Sequence, residues 1–327
     1  MMEVYCVKDN QTYDVSSMVQ DAEIKGSKYK TARSLTLKVL NTSKGLHGSF
    51  KFEEGNTVVF RWKQQELLRG VLWKVGKDKS ETDSLTIYDL MIYLLKNTET
   101  YVFTSKKASD IAKIICSDFG IPIGNIADTG YVIPSLVCDG KTLYDIIMQA
   151  LEITRKQTGV NYYLYSDKGL LFLVRRVEQI RRWVIEDGVN LIDYNYESSL
   201  EDTFTRVKLV AGEKDKTIIA TAENGELQKK FGLLQYYEKV SDNLNQSQLT
   251  ERANQIIKQK GRVDRQFSIS ALGLPDVISG TAIYVIESNL NIKKGYFVEE
   301  DSHNFKGKEH TMNLKLSETD KLPEVSV

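Results

Sequence analysis

The sequence predicts an α+β, mainly β protein: two similar antiparallel β-barrel domains with an α+β domain between them. Three observations carry this expectation. Apolar residues alternate with small or polar ones near both ends of the chain, the period-two signature of half-buried strands. A glycine-punctuated layout occurs twice, with Gly55 and Gly70 spaced as Gly280 and Gly295 are. Between the two copies the apolar period changes to that of helices. The expected domains are residues 1–96, 97–197 and 198–327.

In the first segment, strands are expected at Val15–Ile24, Ser34–Leu40, Thr57–Trp62, Leu67–Val75 and Ser84–Leu90. Leu35, Leu37 and Val39 alternate, and Gly, Asn and Asp mark the turns. Tyr88–Leu95 closes the unit as a last strand or a short helix, and periodicity alone does not decide between them.

Two helices follow Asn97. Ala108, Ile111, Ile114 and Ile115 form the stripe of the first, with Ser105 or Ser109 as N-cap and Gly120 just past its end. Leu143, Ile146, Ile147, Ala150 and Leu151 form the stripe of the second, which starts at Thr142 with Asp145 three residues on, as in a capping box, and stops at Gly159. Tyr162–Tyr165, the turn 166–169 and Leu170–Val174 read as a hairpin.

The third segment opens with strands near Asp202–Val210, Thr217–Thr221 and Gly232–Tyr237. An amphipathic helix covers Ser247–Lys260, with Leu249, Ala253, Ile256 and Ile257 on one face and Gly261 as its stop. The second copy of the repeat follows: Phe267, Ile269 and Ala271, then Gly280–Ile286, Lys294–Val298, and Met312, Leu314 and Leu316.

The chain has 327 residues, 41% hydrophobic and 27% charged, an ordinary globular balance that suits two or three domains. No apolar run is long enough to cross a bilayer, so no membrane insertion is expected. The start lacks the basic and apolar regions of a secretory signal, which points to synthesis in a bacterial-type cytoplasm. Cys6, Cys116 and Cys138 stand singly and suggest neither a disulfide framework nor a zinc knuckle. The 44 basic and 44 acidic residues give no net charge, which argues against nucleic-acid binding as the main task, since phosphate contacts need a basic excess.

Candidate chemistry is sparse. Of the three histidines, His47 stands alone, while His303 and His310 face each other across the last hairpin with Asp301 nearby, short of the three or four converging ligands a metal needs. The carboxylates Glu53–Glu54, Glu197 with Glu201–Asp202, and Glu299–Asp301 alternate to opposite faces rather than flanking one substrate. Arg175–Trp183 holds four arginines and a tryptophan, a basic-aromatic stretch that reads as a strand face or a subunit contact. No nucleophile elbow, zinc-protease helix, phosphate loop or dinucleotide fingerprint occurs. The sequence therefore nominates no catalytic, cofactor-binding or metal-binding residue, and no enzyme is expected.

Four pieces together carry a family resemblance: Tyr88–Asn97, Glu197–Val207, Gly273–Ile283, and Ser302–His303 ahead of His310–Leu314. They resemble the XkdQ/YqbQ family of prophage tail proteins, which is similar to the central baseplate hub of contractile phage tails and of tailocins, the contractile bacteriocins. The resemblance implies a structural hub: a homotrimeric ring of tube-like barrels, two per chain, adapting a hexameric tail tube protein to a trimeric central spike protein beside other baseplate proteins. It implies assembly into a phage tail or tailocin particle and brings no catalytic residue with it. Lytic domains fused to some hubs are not expected here, because the chain stops at Val327 soon after its last strand.

An alternative is a cell-wall (peptidoglycan) binding module or accessory of a wall hydrolase. Thr100–Phe103, Ala108–Ser117, Gly120–Pro122 and Asn125 have the outline of a LysM module. The expected closing strand, a Pro-Gly followed by alternating apolar residues, is missing from the sequence.

Overall fold

The computed structural model describes residues 1–28, 32–42, 49–212, 217–240 and 244–318; His47 lies outside them. The chain folds as two compact units, residues 1–194 with 268–327 and residues 195–267. The expected C-terminal segment 198–327 is thus divided between them.

The first unit begins with β1 (Met2–Lys8), β2 (Gln11–Asp14), β3 (Val19–Ser27), β4 (Ser34–Leu40), β5 (Thr57–Trp62), β6 (Gln65–Lys77) and β7 (Thr82–Tyr88), followed by the short helix α1 (Met91–Lys96). Both readings of 88–95 are thus realised in turn, a strand end and then a helix. The hairpins β1–β2 and β5–β6 turn through Asp9–Asn10 and Lys63–Gln64, all at positive φ, the backbone that matches the twist of paired strands.

An α+β insertion follows. It contains β8 (Thr98–Lys107), α2 (Ala108–Asp118), β9 (Ile123–Ile126), β10 (Val132–Thr142), α3 (Leu143–Thr158), β11 (Tyr162–Asp167) and β12 (Leu170–Arg175). The Thr142 hydroxyl accepts the Asp145 N–H at 3.1 Å and Gly159 sits in the left-handed region at φ 72°, so both expected ends of α3 are realised. The N-cap of α2 is Lys107, whose N–H donates to the Asp110 carboxylate at 3.3 Å, rather than Ser105 or Ser109. Ile111, Ile115, Leu143, Ile146, Ile147, Leu151, Leu171 and Leu173 share one core. Strands β8 and β10 form an antiparallel ribbon. The closing strand that the sequence seemed to lack is therefore present, but its core is shared with α3 and the β11–β12 hairpin rather than enclosed in a free-standing module.

Then come β13 (Ile180–Glu186) and β14 (Leu191–Ser199). The second unit contains β15 (Arg206–Ala211), β16 (Ile218–Glu223), α4 (Gly225–Phe231), β17 (Gln235–Val240) and α5 (Gln246–Lys260). The strand order is β16–β15–β17, antiparallel then parallel. Val207, Leu209, Ala220, Val240, Leu249 and Ala253 form its core. Asn245 caps α5 by accepting the Gln248 N–H at 3.0 Å.

The chain returns through β18 (Asp264–Leu272), β19 (Ala282–Glu287), β20 (Ile292–Lys306) and β21 (Glu309–Ser317). The expected repeat is visible in the topology: β4–β7–β6–β5 in the first copy corresponds to β18–β21–β20–β19 in the second. Gly55 and Gly280 adopt φ 90° and 89°. Gly55 donates to the Leu72 carbonyl while Leu72 donates to Asn56; Gly280 donates to Val298 while Val298 donates to Thr281. A register shift then falls between Leu72 and Lys74 and again between Val298 and Glu300, a bulge at the same place in each copy.

That alignment corrects one sequence expectation. With Leu72 matched to Val298, Gly70 corresponds to Tyr296, and Gly295 to Arg69; the equal glycine spacing is displaced by one residue. Gly70 is needed because a Cβ there would meet the Tyr88 carbonyl, whereas the nearest atom to a Cβ on Gly295 is the Ile283 oxygen at 3.8 Å.

The flanking strands repeat as well. The first path, β3–β4–β7–β6–β5–β1–β2, ends in β3 and β2, which the chain joins through residues 15–18. The second, β14–β18–β21–β20–β19–β13, ends in β14 and β13, joined through residues 187–190. Thus β13 and most of β14, which fall within the segment 97–197 expected as the α+β domain, hydrogen-bond with the second copy. The copies meet where residues 300–306 of β20 pair antiparallel with residues 21–27 of β3.

Candidate functional site

The seam between the copies holds a buried polar cluster, and it contains His303, His310 and Asp301, the group that falls short of a metal site by sequence. Asp301, on β20, is 3% exposed. Arg33, just before β4, donates to both its oxygens at 2.8 and 2.6 Å, and the Ser279 N–H adds a third bond at 2.6 Å. Burial alone would push the Asp301 carboxyl up, but the Arg33 guanidinium outweighs it and holds the group below its ordinary value. Gly26 on β3 makes room, since a Cβ there would run into the Arg33 guanidinium and the Asp301 carboxylate. Beside it, Lys28 pairs with Glu299 at 2.6 Å.

His303 and His310 do meet, with Nδ1 of His303 2.9 Å from Nε2 of His310. Nε2 of His303 lies 2.9 Å from the Val277 carbonyl, which only accepts, so His303 carries its proton on Nε2. His310 then donates from Nε2 to His303 Nδ1. Both ring nitrogens of His303 are thus committed within the protein, and Asp301 is committed to Arg33, so the trio is a structural network rather than a metal centre. Burial, then the His303 neighbour, pulls His310 down to about 3. Burial also lowers His303 against the pull of Asp301. Phe305 stacks on His310 with ring centres 4.2 Å apart and reaches Phe60 and Trp62 of the first copy at 4.9 and 5.2 Å.

The other nominated groups do not assemble. Glu53 is held down to about 2 by Lys51 and Lys8, the opposite of a general acid. Arg176 is buried over the Tyr163 and Phe297 rings, while Trp183 is 42% exposed and donates to Asp276 at 2.8 Å. The basic-aromatic stretch is therefore not one surface. Asp89, which the sequence reading passed over, is buried, and burial pushes its carboxyl up to about 7 against the nearby Arg33. Only tertiary burial reveals it.

What the fold does offer is strand edge. The first half of β6 pairs with β5, but, among the described residues, 74–77 pair only with β7, whereas the matching part of β20 pairs with β21 on one side and β3 on the other. β14 ends its strand path. Among the described residues no helix is long and apolar enough to cross a membrane.

Over 326 residues the chain is 40% identical to the uncharacterized protein YqbQ and 39% identical to the phage-like element PBSX protein XkdQ, both of Bacillus subtilis (strain 168). In each case 99% of both chains is covered. Its fold is similar to that of the prophage MuSo2 43 kDa tail protein from Shewanella oneidensis, with a TM-score of 0.71 at 15% identity over 96% of this chain and 98% of that one. Residues 22–317 match the YQBQ-like family. With whole-length relatives at this identity and this span matched, the chain belongs to the YQBQ-like family.

Proposed function

We propose that this protein is a structural component of a phage-type tail, the baseplate hub of a contractile tail or contractile bacteriocin, forming a trimeric ring that adapts a hexameric tail tube to a trimeric spike. The observation that carries the reading is the internal repeat. Two copies of one strand pattern per chain, taken three times, give six similar positions around a threefold axis, which meets sixfold symmetry on one side and threefold on the other. In each copy the two end strands of the path are joined by a connection of only a few residues, and this supports curling of each copy into a barrel. The similarity to tail proteins and the commitment of Asp301, His303 and His310 to structural contacts support a scaffolding role.

Sedimentation velocity of the purified chain tests the proposal, run alone and with spike and tube proteins of a phage-type tail. A trimer that binds both is expected. A monomer at all concentrations that instead pellets with cell walls would favour the wall-binding alternative and overturn the hub.

A further inference from the structure

We propose that the seam joining the two copies within one chain is repeated between chains, with the open edge of β6 at Trp73–Lys77 pairing antiparallel with the open edge of β14 in a second copy of this chain. The inference rests on the trimer reading and deepens it by naming the strands that meet.

The intrachain seam is the template. Residues 300–306 of β20 extend past β19 and take β3 as their second partner. By the matched hydrogen bonds and bulges, Lys74 corresponds to Glu300 and Lys77 to His303. The β6 residues extend past β5 in the same way and, among the described residues, have no second strand partner. In the flanking strands, β14 stands to β18 as β3 stands to β4. The free side of β6 on the first copy and the path-ending, β3-like strand β14 on the second are the two halves of one junction. Open edges of this kind are normally covered or paired.

Charge and exposure agree with this assignment. The β6 edge carries Lys74 and Lys77, and β14 carries Asp193 and Glu197, all four exposed; opposite signs favour this partner. Trp73 occupies the bulge position that Glu299 holds in the second copy. Glu299 is covered by Lys28, whose N–H donates to its carbonyl at 2.9 Å. Trp73 is 39% exposed, with the Tyr88 and Tyr93 rings edge-to-face with it at 6.4 and 6.3 Å. An aromatic side chain left half open at a strand edge is the residue type that anchors interfaces. The β6 ladder spans fewer residues than its template, so the interchain junction is the weaker one and the ring opens there first. A head-to-tail junction of this kind closes into a ring when the rotation between successive copies allows it.

Cysteine pairing tests the assignment, because Cys6, Cys116 and Cys138 are all buried. Lys74→Cys or Lys77→Cys is combined in one chain with Asp193→Cys, Asn195→Cys or Glu197→Cys and oxidised. At least one combination is expected to yield a covalent three-chain species, with no cross-linked product from any single variant. In parallel, Lys74→Glu with Lys77→Glu is expected to weaken self-association about tenfold, and adding Asp193→Lys with Glu197→Lys to restore it. A trimer that neither cross-links at any combination nor responds to the charge reversals overturns this pairing and leaves the trimer standing. A chain that stays monomeric throughout overturns both.

Discussion

Arg33 and Asp301, 268 residues apart in sequence, form a two-pronged ion pair at 2.8 and 2.6 Å across the seam between the repeats. The start of β4 and the middle of β20 are thereby locked together at the point where the copies share a sheet. Asp301 is buried and Arg33 largely so, and the pair matters less for its own energy than for what remains when one partner is lost.

Arg33→Ala is accordingly expected to destabilise the fold by about 3–5 kcal/mol, because it strands a buried carboxylate. Gly26→Ala is expected to approach that loss without touching either charge, since its methyl would displace the guanidinium. Urea unfolding midpoints measure both. A Gly26→Ala protein of wild-type stability would contradict the packing described at the seam.

The two second glycines of the repeat are expected to behave differently despite their matching sequence spacing. Gly70→Ala sets a methyl against the Tyr88 backbone carbonyl, which cannot move without disturbing the β6–β7 ladder, and a loss of about 2–3 kcal/mol is expected. Gly295→Ala has room and is expected to fall within about 0.5 kcal/mol of the parent. Equal losses would restore the equivalence that the hydrogen bonds deny.

Acid sensitivity follows from three buried groups. His303 and His310 stay neutral in the fold while their unfolded forms take up a proton near pH 6.5, so the unfolded state binds more protons and stability falls as pH drops below that value. Asp89, held up at about 7, has the opposite sign: between roughly pH 4 and 7 the folded state holds the extra proton, so its contribution improves on acidification. Asp89→Asn removes the compensation. Between pH 6.5 and 5 the variant is expected to lose stability more steeply than the parent, by up to about 1.4 kcal/mol per pH unit. Parallel slopes in urea titrations would contradict this assignment.

Much of the architecture was legible in residue order. The alternation of Leu35, Leu37 and Val39 and of Phe267, Ile269 and Ala271 marks the buried face of β4 and β18, and Thr142 and Gly159 bracket α3. The ribbon of β8 and β10 was not legible: Val102 and Val137 are exposed on it at 67% and 61%, so its apolar pattern does not separate an inside from an outside. β1 was missed because Val4 and Cys6 offer too short an alternation. The closeness of His303 and His310 followed from a hairpin, but their role depends on the Val277 carbonyl and on Arg33, partners set by tertiary pairing.

Two sheet repeats per chain are proposed to make six similar positions in a threefold ring. Electron-microscopy class averages of the purified assembly, viewed down its axis, test it most directly. A ring of three chains with six similar lobes around the lumen is expected. A monomeric particle, or a trimer with only three lobes, would contradict it.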